Sequence, residues 1–199
     1  MAFERKQKGV TLVEVMVVIA VIGIGTSIML VSMGNAREQK RVETAAREMA
    51  AMFREAQGNA LAGKLYKKPA TGEEVSVCGY GISWNVSSLN RIGFARREKD
   101  VSGGCSHANW TTDSFKTFQN IRVSNQKGAS LPLSRWIFGY DLPHATVNKS
   151  FFRSDPFTAN GNLGVLVSST VDSSISYTVC AFANGKVSEH QGSVNCDSL

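Results

Sequence analysis

Lys8-Gly9-Val10-Thr11-Leu12-Val13-Glu14-Val15-Met16-Val17-Val18-Ile19-Ala20 opens an apolar run that continues to Met33. Only Thr11, Glu14, Gly23, Gly25, Thr26, Ser27 and Ser32 interrupt it. As a helix, Val10–Met33 spans about 36 Å at 1.5 Å per residue. That exceeds a hydrocarbon core of ~30 Å, so the run reads as a transmembrane segment. Arg5, Lys6 and Lys8 precede it and place the N-terminus on the cytoplasmic side, with the rest of the chain outside. A cleavable secretory signal fits less well. The apolar run is too long for one.

Glu14 is the anomaly in this run. A carboxylate in an apolar helix costs roughly 2.5–3.5 kcal/mol on insertion scales, which makes it a functional candidate. One reading is that it snorkels from near the cytoplasmic end. The other uses its spacing. If the chain is cut between Gly9 and Val10, Val10 carries a new α-amine, and Glu14 follows one helical turn later on the same face. Amine and carboxylate then neutralise each other in lipid, within one chain or between neighbours.

Working outward, the helical signal continues past Gly34. Val42, Ala45, Ala46, Met49, Met52, Phe53, Ala56 and Ala60 recur at three- and four-residue steps and form one apolar stripe. Charged side chains from Arg37 to Glu55 fill the other faces, where solvation is the simplest account and contact with neighbouring subunits the second. No proline occurs before Pro69. One helix from Val10 to about residue 62 is therefore expected, roughly 80 Å long. Gly63 suits the C-cap, and Lys64, Lys67 and Lys68 suit the negative end of the helix dipole.

Beyond residue 64 the local signals are mostly β. Short β-rich runs lie at 74–78, 80–84, 91–95, 120–124, 135–140, 163–169 and 174–183. Asn184-Gly185 between 174–183 and 186–190 suggests a type I′ hairpin, with Ile175, Tyr177, Val179 and Ala181 on the core face. Residues 96–119 and 151–162 read as loops. The fold class expected is α+β: a long N-terminal helix against an antiparallel β domain.

The first of these segments, Lys8 to Ala20, resembles the class III signal of type IV prepilins and type II secretion pseudopilins. That pattern is a short basic leader, a Gly at the cut, and a hydrophobic helix with Glu at its fifth mature position. The resemblance implies cleavage between Gly9 and Val10 by a prepilin peptidase, N-methylation of Val10, and a role for Glu14 in filament assembly. It implies segments 1–9 (cleaved leader), 10–33 (membrane or filament core), 34–63 (amphipathic half of the same helix) and 64–199 (β-rich domain). The partners it implies are membrane lipid before assembly, other pilin subunits and the inner-membrane assembly platform. The family usually has Phe where this chain has Val10, and many major pilins carry a proline in the apolar segment. Its absence here favours a minor subunit. The order of later elements is similar to that of minor pilins and H-type pseudopilins. The function implied is a structural filament subunit, with a secretion pseudopilin and a DNA-binding minor pilin as alternatives.

Four cysteines, Cys78, Cys105, Cys180 and Cys196, lie in the exported part, where an even count favours disulfides. Four allow three pairings. The pairing favoured is Cys78–Cys105 and Cys180–Cys196, the second tying the chain end to the last hairpin as pilins often do.

Other chemistry has little support. The composition, 43% hydrophobic and 19% charged, is that of a folded protein. The net charge of +6, from 22 Lys+Arg against 16 Asp+Glu, is spread without a single basic tail. This argues against a dedicated nucleic-acid arm. A smaller cluster, Arg91, Arg96, Arg97 and Lys99, lies near Phe94 and is the candidate phosphate contact for DNA, although Glu98 and Asp100 interleave with it. Gly58 to Leu65 imitates a phosphate loop but has Leu65 where Ser or Thr must hold magnesium. Zinc lacks a Cys-x-x-Cys pair; Cys105-Ser106-His107 is the nearest cluster. Asp155, Asn160 and Asn162 match no calcium-loop template. Asn85, Asn109 and Asn148 begin glycosylation sequons by pattern. His107, His144 and His190 stand apart with no nucleophile motif. No cofactor, no metal and no enzymatic activity are expected.

Overall fold

The computed structural model describes residues 10–68, 71–85, 90–100, 102–105, 110–125, 135–142, 144, 146–151 and 162–199. The helix α1 runs from Leu12 to Leu61. The chain divides into two units, Met1–Glu38 and Gln39–Leu199, described in turn.

In the first unit the described apolar side chains of α1 all face outward, from Leu12 (77% exposed) to Ile24 (67%). The hydroxyls in this stretch are satisfied by the helix itself. Thr26 Oγ1 donates to Ile22 O at 3.0 Å and Ser27 Oγ to Gly23 O at 2.8 Å. Such back-bonding lets a polar residue sit in an apolar helix without a partner outside it. Among the described residues no helix is long and apolar enough to cross a membrane. The stretch with described side chains ends at Ser27, short of the roughly 20 residues a span needs, while the sequence stays apolar through Ile28, Met29, Leu30 and Val31.

The second unit is built on the rest of α1. Every member of the stripe from Val42 to Ala60 is buried, and Ala50 joins it. Two antiparallel sheets supply the other walls of this core. The first contains β3 (Val77–Asn85), β4 (Arg91–Glu98), β5 (Trp110–Thr117), β7 (Arg135–Asp141) and β8 (Thr146–Phe151), in the order β5-β4-β3-β7-β8. The second contains β6 (Ile121–Asn125), β9 (Leu163–Ser169), β10 (Ser176–Ala181) and β11 (Val187–Gln191), in the order β11-β10-β9-β6. A small ribbon pairs β1 (Tyr66–Lys67) with β2 (Glu74–Val75). Phe53 from the helix meets Phe138 edge-on at 5.5 Å, and Phe138 meets Tyr140 at 5.3 Å. The fold is α+β, a long helix with antiparallel sheets.

Local chemistry explains the ends of α1. Gly63 has φ +57°. Lys64 N–H donates to Asn59 O and Gly63 N–H to Ala60 O, both at 3.1 Å. These two bonds make a Schellman cap, which glycine adopts without a Cβ penalty.

The opposite face of the first sheet carries a smaller cluster of Ala95, Trp110 and Ile137. The Trp110 indole lies against Gly139, where an added Cβ would fall 2.2 Å from the ring. Only a glycine permits that approach.

Two expectations need correction. Residues 96–119 are not one loop: β4 continues to Glu98, and Trp110–Thr117 forms β5. After Trp110, β5 is polar except for Phe115 and largely exposed, so it lacks the apolar alternation that marks a strand. The turn at Asn184-Gly185 is not type I′, which needs positive φ at both residues. Gly185 has φ +85°, but Asn120 is the only described non-glycine with positive φ. Instead Gly185 N–H bonds Phe182 O and Phe182 N–H bonds Lys186 O, both at 2.9 Å, closing a three-residue connection. The polar face of β10 is covered as well. Thr178 and Cys180 are fully buried beneath the C-terminal segment. Thr178 Oγ1 donates to Gly192 O at 2.7 Å and accepts from Val194 N–H at 3.0 Å. The loop expected at 151–162 lies outside the described residues between its ends, and β8, not foreseen, ends at Phe151.

Two tyrosines test this core. Tyr140 is fully buried and its hydroxyl has no hydrogen-bond partner among the described residues; burial pushes its pKa well above the usual phenol range. Tyr80 donates to Lys64 O at 2.8 Å. In chemical denaturation Tyr80→Phe should cost about 1 kcal/mol, whereas Tyr140→Phe should cost little or stabilise, because it deletes an unmade bond. A pKa raised on folding gives stability that is complete below the ordinary phenol value of 10.0 and lost as pH rises beyond it. Wild type should therefore lose stability above that pH, and Tyr140→Phe should lose less. Gly63→Ala should cost about 1 kcal/mol by forcing a Cβ into positive φ.

Candidate functional site

The candidate processing site begins at residues 9 and 10. Gly9 and the basic leader lie outside the described residues. Val10 is exposed (69%), two residues ahead of α1. Thr11 caps the helix. Its Oγ1 accepts from Glu14 N–H at 3.3 Å, and its carbonyl accepts from Glu14 N–H at 3.1 Å and Val15 N–H at 3.3 Å. Thr11-x-x-Glu14 is thus a capping-box sequence, with the hydroxyl side of the box formed. Glu14 occupies the first turn, where the helix dipole favours a negative charge. Its side chain is exposed. In the sequence Glu14 stood as a snorkelling carboxylate or as a partner for the Val10 amine; the Thr-x-x-Glu signal was also present, and its capping role was missed.

The four cysteines form Cys78–Cys105, with Cα atoms 5.7 Å apart, and Cys180–Cys196, at 5.6 Å. None is free. The first ties the segment after β4 to the start of β3. The second holds the short 3₁₀ turn Cys196–Ser198 against β10. Asn195 caps that turn by accepting from Asp197 N–H at 3.1 Å, and Asn162 Nδ2 donates to Asp197 Oδ1 at 2.9 Å.

The basic cluster does not form a phosphate-binding edge. Arg96 and Arg97 are neighbours in β4 and point to opposite faces of the sheet. Both are buried, at 8% and 4% exposure. Arg96 stacks on the Tyr66 ring at 3.6 Å, donates from Nε to Glu98 at 2.9 Å and pairs with Asp113. Arg97 pairs with Asp141 at 2.6 Å, its guanidinium 5.8 Å from the Trp110 ring centre. Arg91 lies over Phe115, and Lys99 is exposed at the end of β4. Glu98 is local to Arg96, but Asp113 and Asp141, which complete the two pairings, lie outside 91–100, so the local sequence could not reveal them.

Among the described residues no group of three or more His, Cys, Asp or Glu could hold a metal ion. His107, Asp155 and Asn160 lie outside the described residues. His190 Nε2 is bonded to Ser188 Oγ at 2.9 Å. The segment imitating a phosphate loop is the last turn of α1 and its cap. Asp100 and Asp172 accept bonds from Ser102 and Ser174, whose hydroxyls hold the carboxyls below their ordinary pKa. Both are turn contacts on the surface.

The family described as the prokaryotic N-terminal methylation motif matches residues 5–30. No curated protein matches the sequence. Among solved structures, the minor pseudopilin EpsH from the type 2 secretion system of Vibrio cholerae is similar, with 12% identity and a TM-score of 0.44. The match covers 76% of this chain and 97% of that one. Residues 5–30 of the chain thus carry a prokaryotic N-terminal methylation motif.

The buried arginines give a prediction. Arg97→Ala should destabilise by roughly 3 kcal/mol, because it leaves Asp141 without its buried cation. Lys99→Ala should change stability by less than about 0.5 kcal/mol. Chemical denaturation of the two variants checks this; equal effects would mean that the Arg97–Asp141 pair contributes nothing.

Proposed function

We propose that this protein is a prepilin whose mature form is a structural subunit, a minor pilin, of a type IV pilus-like filament. The observation that carries the reading is the methylation motif over residues 5–30, with Glu14 at the fifth position after the Gly9–Val10 bond. In this reading a prepilin peptidase removes residues 1–9 and Val10 is methylated. The run from Val10 to Met33 holds the subunit in the membrane, with the N-terminus cytoplasmic and the second unit outside. Assembly then moves that run into the filament core beside the helices of other subunits. The α1 surface from Leu12 to Ile24 supports this, since a row of exposed apolar side chains is stable only in lipid or against other apolar helices. The role is structural, without chemistry of its own. A pseudopilin of a secretion system uses the same signal and is the second reading.

Intact mass of membrane-extracted protein should show loss of Met1–Gly9 and one added methyl group. Leader still attached in sheared filaments would sink the proposal. The capping contact separates two roles of Glu14. Glu14→Gln keeps the backbone N–H that Thr11 caps and removes only the charge. It should remain in the membrane fraction and be depleted from sheared filaments by about tenfold, the effect of losing roughly 1.4 kcal/mol of docking energy. Thr11→Val removes the cap, keeps the charge and should assemble. If both variants assemble normally, the carboxylate has no role in docking.

A further inference from the structure

Among the described residues, the strand β5 is an edge of its sheet, with β4 on one side and no strand on the other. From Ser114 to Thr117 every residue is exposed. The hydrogen-bonding phase of this edge follows from one contact. Phe118 N–H donates to Asn90 O at 2.8 Å, and the register runs back through Arg91↔Thr117, Ile92↔Lys116, Gly93↔Phe115 and Phe94↔Ser114. Antiparallel pairs alternate between bonded and non-bonded. Lys116 and Ser114 therefore spend their backbone groups on β4, and Phe115 and Thr117 turn theirs to the open side.

The same edge forms one wall of a groove of about 450 Å³ between β5 and α1. Met52, Ala51 and Phe94 line its apolar part, and Glu48 and Glu55 come from the helix. Glu48 is already paired with Lys116 at 2.9 Å, and Glu55 has no cation partner among the described residues. Natural proteins usually blunt an open edge, because unpaired backbone groups recruit another strand. Lys116 lines the groove here and is neutralised, and Phe115, 46% exposed, borders it too.

We propose that this edge is a docking site for an extended segment of a partner protein, which adds as a sixth strand beside β5. Its backbone exchanges hydrogen bonds with Phe115 and Thr117. Its groove-facing side chains, two residues apart, are one apolar residue over Met52 and Phe94 and one Lys or Arg reaching Glu55. The alternation is that of any strand. Main-chain bonds supply affinity, and the two groove positions supply selectivity. The site does not depend on filament assembly.

The test uses the full chain in detergent micelles and a fluorescein-labelled peptide, Thr-Val-Thr-Lys-Thr-Val-Thr-Lys-Thr. Saturable binding is expected by anisotropy. Replacing both Lys by Glu in the peptide, or Glu55→Lys in the protein, should weaken it by about fivefold, the upper range for one exposed ion pair. Phe115→Pro removes an outward N–H and no bond to β4, so the edge tolerates it. It should weaken binding by about tenfold, whereas Phe115→Thr, which keeps the N–H, should stay within about twofold. A peptide N-methylated at alternate residues should not bind in the phase that blocks its bonds to the edge. The proposal is overturned if the peptide does not bind, if Phe115→Pro binds as well as Phe115→Thr, or if both N-methylated phases bind equally. It is also overturned if the edge is occupied by a second copy. That outcome would appear as wild-type self-association abolished by Phe115→Pro and unaffected by the peptide.

Discussion

The second unit depends on burying one stripe of one helix. From Val42 to Ala60 the side chains of α1 that face inward are apolar and mostly small, with Met49, Met52 and Phe53 as the large members. The small residues let strands approach closely, and the large ones fill the space between two sheets. An amphipathic helix of this kind gains little from propensity and much from the surface it covers. Neither sheet could close a core by itself. The inner side chains of β3, β4 and β7 and those of β6, β9 and β10 all meet in one cluster through the helix. At the C-terminal end of α1, the Gly63 cap turns the chain towards Tyr66, and the Tyr80 hydroxyl takes the Lys64 carbonyl that the helix leaves behind.

How much of this was legible depended on whether the signal was local. The helical stripe was, because periodicity of 3.6 is written in consecutive residues. So was Gly63, since only position and residue type matter at a cap. The strand 163–169 could be read because both of its faces are apolar or small. By contrast β5 was hidden. An edge strand exposed on both faces shows no alternation, and its sequence of Thr, Asp, Ser and Lys is that of a loop. The turn at Asn184-Gly185 failed for another reason. Asn-Gly accommodates type I′, but the chain uses a three-residue connection with only Gly185 at positive φ, and the dipeptide is compatible with both. Burial of Thr178 could not be read from β10, because it is caused by residues 192–196 folding back over it.

At the N-terminus a four-residue pattern carried two meanings. Glu14 was noticed because a charge in an apolar run is costly. Thr11, which is neutral and small, drew no attention, although it forms the cap. The arginines of β4 show the opposite failure. A cluster of basic residues reads as a surface feature because charges are normally solvated. Here Asp113 arrives from the adjacent β5 and Asp141 from β7, two strands away, and they let two guanidinium groups go under the surface. Sequence proximity grouped Arg96 with Arg97, and the pleat of the strand then sent them to different faces.

The geometry of the buried stripe also has a mechanical meaning. A pull along the axis of α1 loads its contact with the sheets in shear, so all the inward side chains from Val42 to Ala60 resist together and none can peel away first. The Cys180–Cys196 bridge fastens the last segment of the chain to β10, one of the strands that receive that load. If the domain does yield, residues between 180 and 196 cannot pay out as extended chain while the bridge is intact. With the bridge closed, that stretch of the second unit has less chain to give up than its length suggests.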